Sequence, residues 1–163
     1  MFKKDLMESF LHKLEDNLES EGIDLCSLEI DHLCYRVDSE ERYDELKSDL
    51  ALENKLLHEA MISNRPIATF KMKEAFIYKN ITIPLLELPS PKPGSDYTEG
   101  FEHAEAVINM SFEKFSHKYP HIEFDWKAAK KSHNPELRIS FGDISIKFHH
   151  HSLEDIIESE LNS

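Results

Sequence analysis

Leu28-Glu29-Ile30-Asp31-His32-Leu33-Cys34-Tyr35-Arg36-Val37 reads as a β-strand, rich in β-branched and aromatic residues and alternating in polarity. A second stretch of the same texture, Phe101-Glu102-His103-Ala104-Glu105-Ala106-Val107-Ile108, also carries a histidine near its start. Each of the two strands leads into a similar series of elements. After the first, Asp38-Ser39-Glu40-Glu41 opens a helix with Ser39 as N-cap and Tyr43, Leu46 and Leu50 on its inner face. Strands are expected at 67–72, 75–78 and 81–88, with Lys79-Asn80 as a hairpin turn. Pro84 predicts an edge or a bulge. After the second, a short helix is expected at 111–119 and a strand at 137–141. Gly142-Asp143 then turns into a last strand, 144–148, and Ser152 caps a closing helix. Both halves read as strand, helix, then strands ending in a hairpin. Pro89-Ser90-Pro91-Lys92-Pro93-Gly94-Ser95 is the linker between them. A structural duplication of this kind sets equivalent residues around a pseudo-twofold cleft: His32 with His103, and Glu87 with the run His149-His150-His151.

Outside the repeat, Phe2, Leu6, Phe10, Leu14 and Leu18, with Met7 and Leu11 beside them, make one apolar stripe on a helix that stops near Gly22. The chain has 163 residues and 40% hydrophobic residues, enough for a core without staples. Its 19 basic and 32 acidic residues leave a formal charge of −13, which argues against nucleic acid or an anionic membrane as partner. The four glycines are too scattered for a Walker A or Rossmann phosphate loop. Cys26 and Cys34 form no CxxC and read as free thiols. With no signal-like N-terminus and no long apolar run, a cytoplasmic protein is expected.

Imidazole and carboxylate are the donors that hold a divalent transition metal. His32, Glu87 and His103 are candidates, yet no local motif such as HExxH joins them. A strand histidine is more often a hydrogen-bonded or surface residue, and His12, His58, His117, His121 and His133 are read so.

Asp31-His32-Leu33 with Arg36, Asn64-Arg65-Pro66-Ile67 leading to Phe70-Lys71, and Leu86-Glu87-Leu88-Pro89 with Pro91 resemble the YecM family. So do Glu99-Gly100-Phe101-Glu102-His103, Asn134-Pro135 and Ile146-Lys147-Phe148-His149 with Ser152. The matches run in order over about residues 29–160. The resemblance implies a vicinal-oxygen-chelate (glyoxalase-like) fold. That is an α+β chain of paired βαβββ modules forming cupped mixed sheets, with an extra N-terminal helix. It also implies one domain over 1–163, divided as helix 1–22, modules 28–90 and 99–151, and helix 152–163.

By the same resemblance the metal ligands are His32, Glu87, His103 and His149. Strand parity from Ile144, Ile146 and Phe148 points instead to His150, and a bulge would reconcile the two. Arg36, Arg65 and Lys71 are candidate clamps for an anionic substrate, although each could equally pair with one of the many acids. The expected cofactor is zinc, nickel, manganese or ferrous iron. The implied function is a metal-dependent protein acting on a small oxygen-chelating substrate, as an isomerase, lyase or dioxygenase-like enzyme. Glu87 would then serve as ligand or general base. The alternative is a non-catalytic module that binds a small ligand or a metal.

Overall fold

A computed structural model describes residues 2–163. Helix α1 (Lys4–Ser20) buries Met7, Phe10, Leu11, Leu14 and Leu18. Leu6, expected in that stripe, is half exposed, because a strict four-residue repeat drifts off one face of a 3.6-residue helix. The helix ends at Gly22, whose φ of 82° reaches the left-handed region that favours glycine.

Strand β1 (Glu29–Arg36), helix α2 (Glu40–Ala51) and strands β2 (Lys55–Ile62), β3 (Arg65–Tyr78) and β4 (Ile81–Pro89) form the first module. The second contains β5 (Gly100–Val107), α3 (Phe112–Lys118), β6 (Leu137–Phe141) and β7 (Ile144–His149), followed by α4 (Leu153–Leu161). Ser39, Ser111 and Ser152 each cap a helix, accepting a hydrogen bond from the amide three residues on. All seven strands join in one mixed sheet, in the order β2-β3-β4-β1-β5-β7-β6. The paired modules and the N-terminal helix are as expected, but the strands expected at 67–72 and 75–78 are one strand, β3, and β2 lies outside the expected strands. Among the described residues the second module has no outer strand to match β2; there the chain runs irregularly and bridges to β6 between Asp125 and Arg138.

The modules meet where β1 and β5 pair antiparallel. Leu33 stands opposite Ala104, His32 opposite Glu105, and Cys34 opposite His103. A twofold axis between Leu33 and Ala104 therefore exchanges His32 with His103, and Cys34 with Glu105. The ladder slips at Asp31 on β1 and at Glu102 on β5, which the same axis exchanges. Such bulges re-aim side chains. Each module then pairs its first strand with its last in parallel: Cys34 with Glu87, and Glu105 with Lys147. The counterpart of Glu87 is thus Lys147 and not the histidine run.

Pro84 sits at an irregularity. The β3–β4 ladder jumps from Lys71/Leu85 to Phe76/Ile83, so the proline faces a looped-out segment of β3 inside an interior strand. Helix α1 packs on β3, β5 and β7, α2 on β3 and β4, and α4 on β2. Among the described residues, no helix is long and apolar enough to cross a membrane.

Leu33 and Ala104 are both fully buried at the module junction. Leu33→Ala should open a void that no neighbour can fill, at a cost of about 3 kcal/mol. Urea unfolding would record this as a lower midpoint with unchanged slope. A loss below about 1 kcal/mol would mean that the junction closes up around the shortened side chain.

Candidate metal centre

The parity of β1 and β5 puts His32, Cys34 and Arg36, with His103 and Glu105, on the sheet face away from α1. A cavity of about 870 Å³ opens there. Its floor includes Cys34, Glu87, His103 and Glu105, and Leu153, Ile156 and Ile157 of α4 form part of its wall.

Four side chains converge at the floor. One donor atom each from His32, Glu87, His103 and Glu105 lies within 4.8 Å of every other. His103 Nε2 is 3.8 Å from Glu105 and 3.9 Å from Glu87, while His32 Nε2 meets a Glu105 oxygen. His32, His103 and Glu105 are buried and Glu87 is half-buried. Both Nε2 atoms are fully enclosed, that of His32 against Glu105 and that of His103 between Glu105 and Glu87.

Each histidine is held by the acid that precedes it. His32 Nδ1 donates to Asp31 Oδ2 at 2.9 Å, and His103 Nδ1 donates to Glu102. The bulges at Asp31 and Glu102 are what bring these neighbouring side chains together. A carboxylate behind Nδ1 fixes the ring and leaves Nε2 as the donor, which is the usual buttress of a metal-bound histidine. Asp31 also accepts from His149 Nε2 at 2.7 Å and from the Leu153 amide at 2.8 Å. One carboxylate thereby ties β1 to β7 and to the first turn of α4.

His149 consequently stands behind His32 and does not join the four donors. His150 turns away and meets the Met110 carbonyl at 3.0 Å. Glu105, which neither residue type nor family motif singles out, stands with His32, Glu87 and His103. Its signal is its position: it follows His103 by two residues, on the same strand face. Among the expected anion clamps, Arg36 and Arg65 line the cavity. The Arg36 guanidinium lies 4.3 Å over the Tyr97 ring, and Arg65 donates to the Ser90 carbonyl at 3.0 Å. Neither has a carboxylate within ion-pair distance among the described residues. Lys71 lies outside the cavity lining and pairs with Glu154 of α4 at 2.8 Å.

Electrostatics fit a site that holds either protons or a cation. Burial would lower the pKa of His32, but Glu105 and Asp31 outweigh it and hold the imidazole well above its ordinary value. His103 is likewise raised against its burial, beside Cys34 and Glu102. Burial should raise Asp31 and Glu102, yet the facing histidines hold both at about 2. Without a metal, two imidazolium protons neutralise the donors; a divalent cation would neutralise the same donors in their place. The residues present fit such an ion.

The YecM protein family model matches residues 3–160. Protein YecM of Escherichia coli (strain K12) is 28% identical over 166 residues, covering 93% of this chain and 88% of that protein. A solved structure described as Protein EC4020 superposes with a TM-score of 0.81 at 28% identity, covering 96% of this chain and 89% of that one. A hypothetical protein from Bacillus halodurans C-125, 14% identical with a TM-score of 0.52, covers 75% of this chain and 93% of its own and shares the fold.

The pKa shifts set a stability window for the metal-free protein. Depressed Asp31 and Glu102 stabilise it above about pH 4, and that part is lost as pH falls toward 2, about 2 kcal/mol for Asp31. Raised His32 and His103 stabilise it fully below about pH 6.5, and that part is lost as pH rises through their folded values. Melting temperature in the presence of a chelator should therefore peak between about pH 4.5 and 6.5. Asp31→Asn should flatten the acid side; an unchanged acid limb would contradict the assignment.

Proposed function

This chain belongs to the YecM family, and from that premise we propose that its cavity binds one divalent transition metal and presents it to a small oxygen-chelating anion. His32 and His103, through Nε2, and the carboxylates of Glu87 and Glu105 would hold the ion. The observation that carries this reading is the convergence of two buried Nε2 atoms and two carboxylates, each donor within 4.8 Å of the others. Buried carboxylates and imidazoles gathered this closely cost free energy unless protons or a cation neutralise them. Two imidazoles and two carboxylates suit zinc, and also manganese, ferrous iron or nickel. When bound, the ion would supply a Lewis acid for an enolate-like or oxyanionic oxygen, as vicinal-oxygen-chelate chemistry requires.

The protein's own groups divide the remaining work. Arg36 and Arg65 offer guanidinium groups free of carboxylates to an anionic substrate. Glu87 is the most accessible of the four donors, with 19% of its side chain exposed, so it is the carboxylate best placed to let go and act as base. The apolar side of α4 limits water at the floor. An isomerase, lyase or dioxygenase-like reaction fits this arrangement, with a small molecule as partner and the cytoplasm as the proposed setting.

A second reading has its own support. The chain of contacts Asp31–His32–Glu105 is already balanced by protons, as a metal-free ligand-binding module would require. Zinc titration of untagged protein at pH 7 separates the two. The metal reading expects one zinc per chain and release of about two protons, seen as heats that change with buffer ionisation. His103→Ala and Glu105→Ala should abolish stoichiometric binding, whereas His149→Ala should weaken it about 10- to 100-fold through the Asp31 contact. Zinc-free protein, or full occupancy in Glu105→Ala, would leave the binding module as the better reading.

A further inference from the structure

Two of the positions at which the pseudo-twofold is broken lie at the proposed metal site. Cys34 faces Glu105 across the exchange, and Lys147 faces Glu87. A symmetric pair of modules would carry a second carboxylate on β7 where Lys147 stands. An ammonium cannot ligate a metal, since all its capacity is for donating. The side of the proposed metal site toward β7 is therefore lined by a positive charge.

In the metal-free site Glu105, Glu136 and Glu87 all favour the charged ammonium. Lys147 lines the cavity with 20% of its side chain exposed, and among the described residues it makes one ion pair, to Glu136 at 3.5 Å. Glu136 already has Lys131 at 3.6 Å. Glu105, the strand neighbour of Lys147, is engaged by His32. Glu102 is taken by His103 and by Arg138 at 3.4 Å. With a divalent ion between Glu87 and Glu105, these two carboxylates are matched and the ammonium is in surplus. Arg36, without a carboxylate of its own, adds to the surplus on the same wall. In a chain of net charge −13, a cavity with uncommitted cations is matched to an anion.

We infer that Lys147 is the residue that binds the oxygen of a metal-chelating carboxylate ligand at the side where the second module lacks a counterpart of Glu87. This rests on the metal site proposed above and names the ligand class that it would take: a small acid bearing a second oxygen next to its carboxylate. The carboxylate and the adjacent oxygen would both face the metal, and the ammonium would take a carboxylate oxygen in a charge-assisted contact.

Oxalate is the probe, titrated calorimetrically into zinc-loaded and zinc-free protein. Wild type should bind oxalate only when zinc is present. Lys147→Gln should keep zinc and lose oxalate affinity by at least about tenfold. Lys147→Arg should keep oxalate within about threefold, which guards against a variant that merely fails to fold. Lys147→Glu should supply the missing counterpart of Glu87 as a further donor, so zinc should bind more tightly and oxalate should no longer bind. Zinc retained in Lys147→Gln with unchanged oxalate affinity would overturn the role of Lys147 alone. Failure of wild type to bind zinc would instead overturn the metal reading on which it rests.

Discussion

The antiparallel pairing of β1 with β5 is the constraint on which the rest depends. It joins the two modules edge to edge and lays Leu33 against Ala104 at the axis. It fixes which side chains face the cavity. Strand alternation alone would put His32, Cys34, His103 and Glu105 on one face. The register brings them into two facing pairs, His32 with Glu105 and Cys34 with His103. A slip of one residue would send all four to the face covered by α1, and the histidines would be buried among Phe10, Phe101 and Tyr35 with no acid beside them.

Placing so much charge under a helix is costly, because each ion taken out of water loses its solvation. The compensation is local and twofold repeated. Asp31 precedes His32 and Glu102 precedes His103, and a bulge turns each acid to its histidine. The first copy carries more: Asp31 also accepts from His149 and from the first amide of α4. That amide belongs to a helix N-terminus, where a carboxylate is favoured by the unpaired N–H groups and the dipole. Three donors on one buried carboxylate explain why its pKa stays low in spite of burial. They also explain why His149, which fits the family motif, supports the site from behind.

Much of the fold is legible in residue order, because its signals are local. The α1 stripe, the serine caps, the Lys79-Asn80 and Gly142-Asp143 turns and the repeated strand-helix unit each depend on a few neighbouring residues. Strand β2 is not legible in this way, since Lys55-Leu56-Leu57-His58-Glu59-Ala60-Met61-Ile62 lacks clean alternation. It is an edge strand whose partner is supplied by β3. Of the site, residue type and family motif pick out His32, Glu87 and His103, but Glu105 is one acid among the many of a strongly acidic chain. What distinguishes it is the internal comparison of Asp31-His32-Leu33-Cys34 with Glu102-His103-Ala104-Glu105. Aligning the modules by their hairpin turns sets Glu87 against the histidine run. Strand register, which is a long-range property, sets it against Lys147.

Duplication supplies a site with twofold character, and divergence decides what the site can do. Two identical modules would offer matched donors from both sides, with their capacity spent on the ion. Here the elements shared by both copies of the repeat are the ones that position histidines: the bulge, the preceding acid and the central apolar contact. The differences fall on other residues of the cavity side, buried Cys34 against Glu105 and partly exposed Lys147 against Glu87. The lack of an outer strand in the second module works in the same direction. The irregular chain in its place brings Lys131, His133, Asn134 and Glu136 to the cavity rim, where a strand of alternating parity would present only every second residue. Symmetry thus holds at the centre, where packing and buried charge leave no latitude. It lapses at the other cavity-facing positions, from Cys34 and Glu105 beside the axis out to the rim, and there the two modules acquire different chemistry.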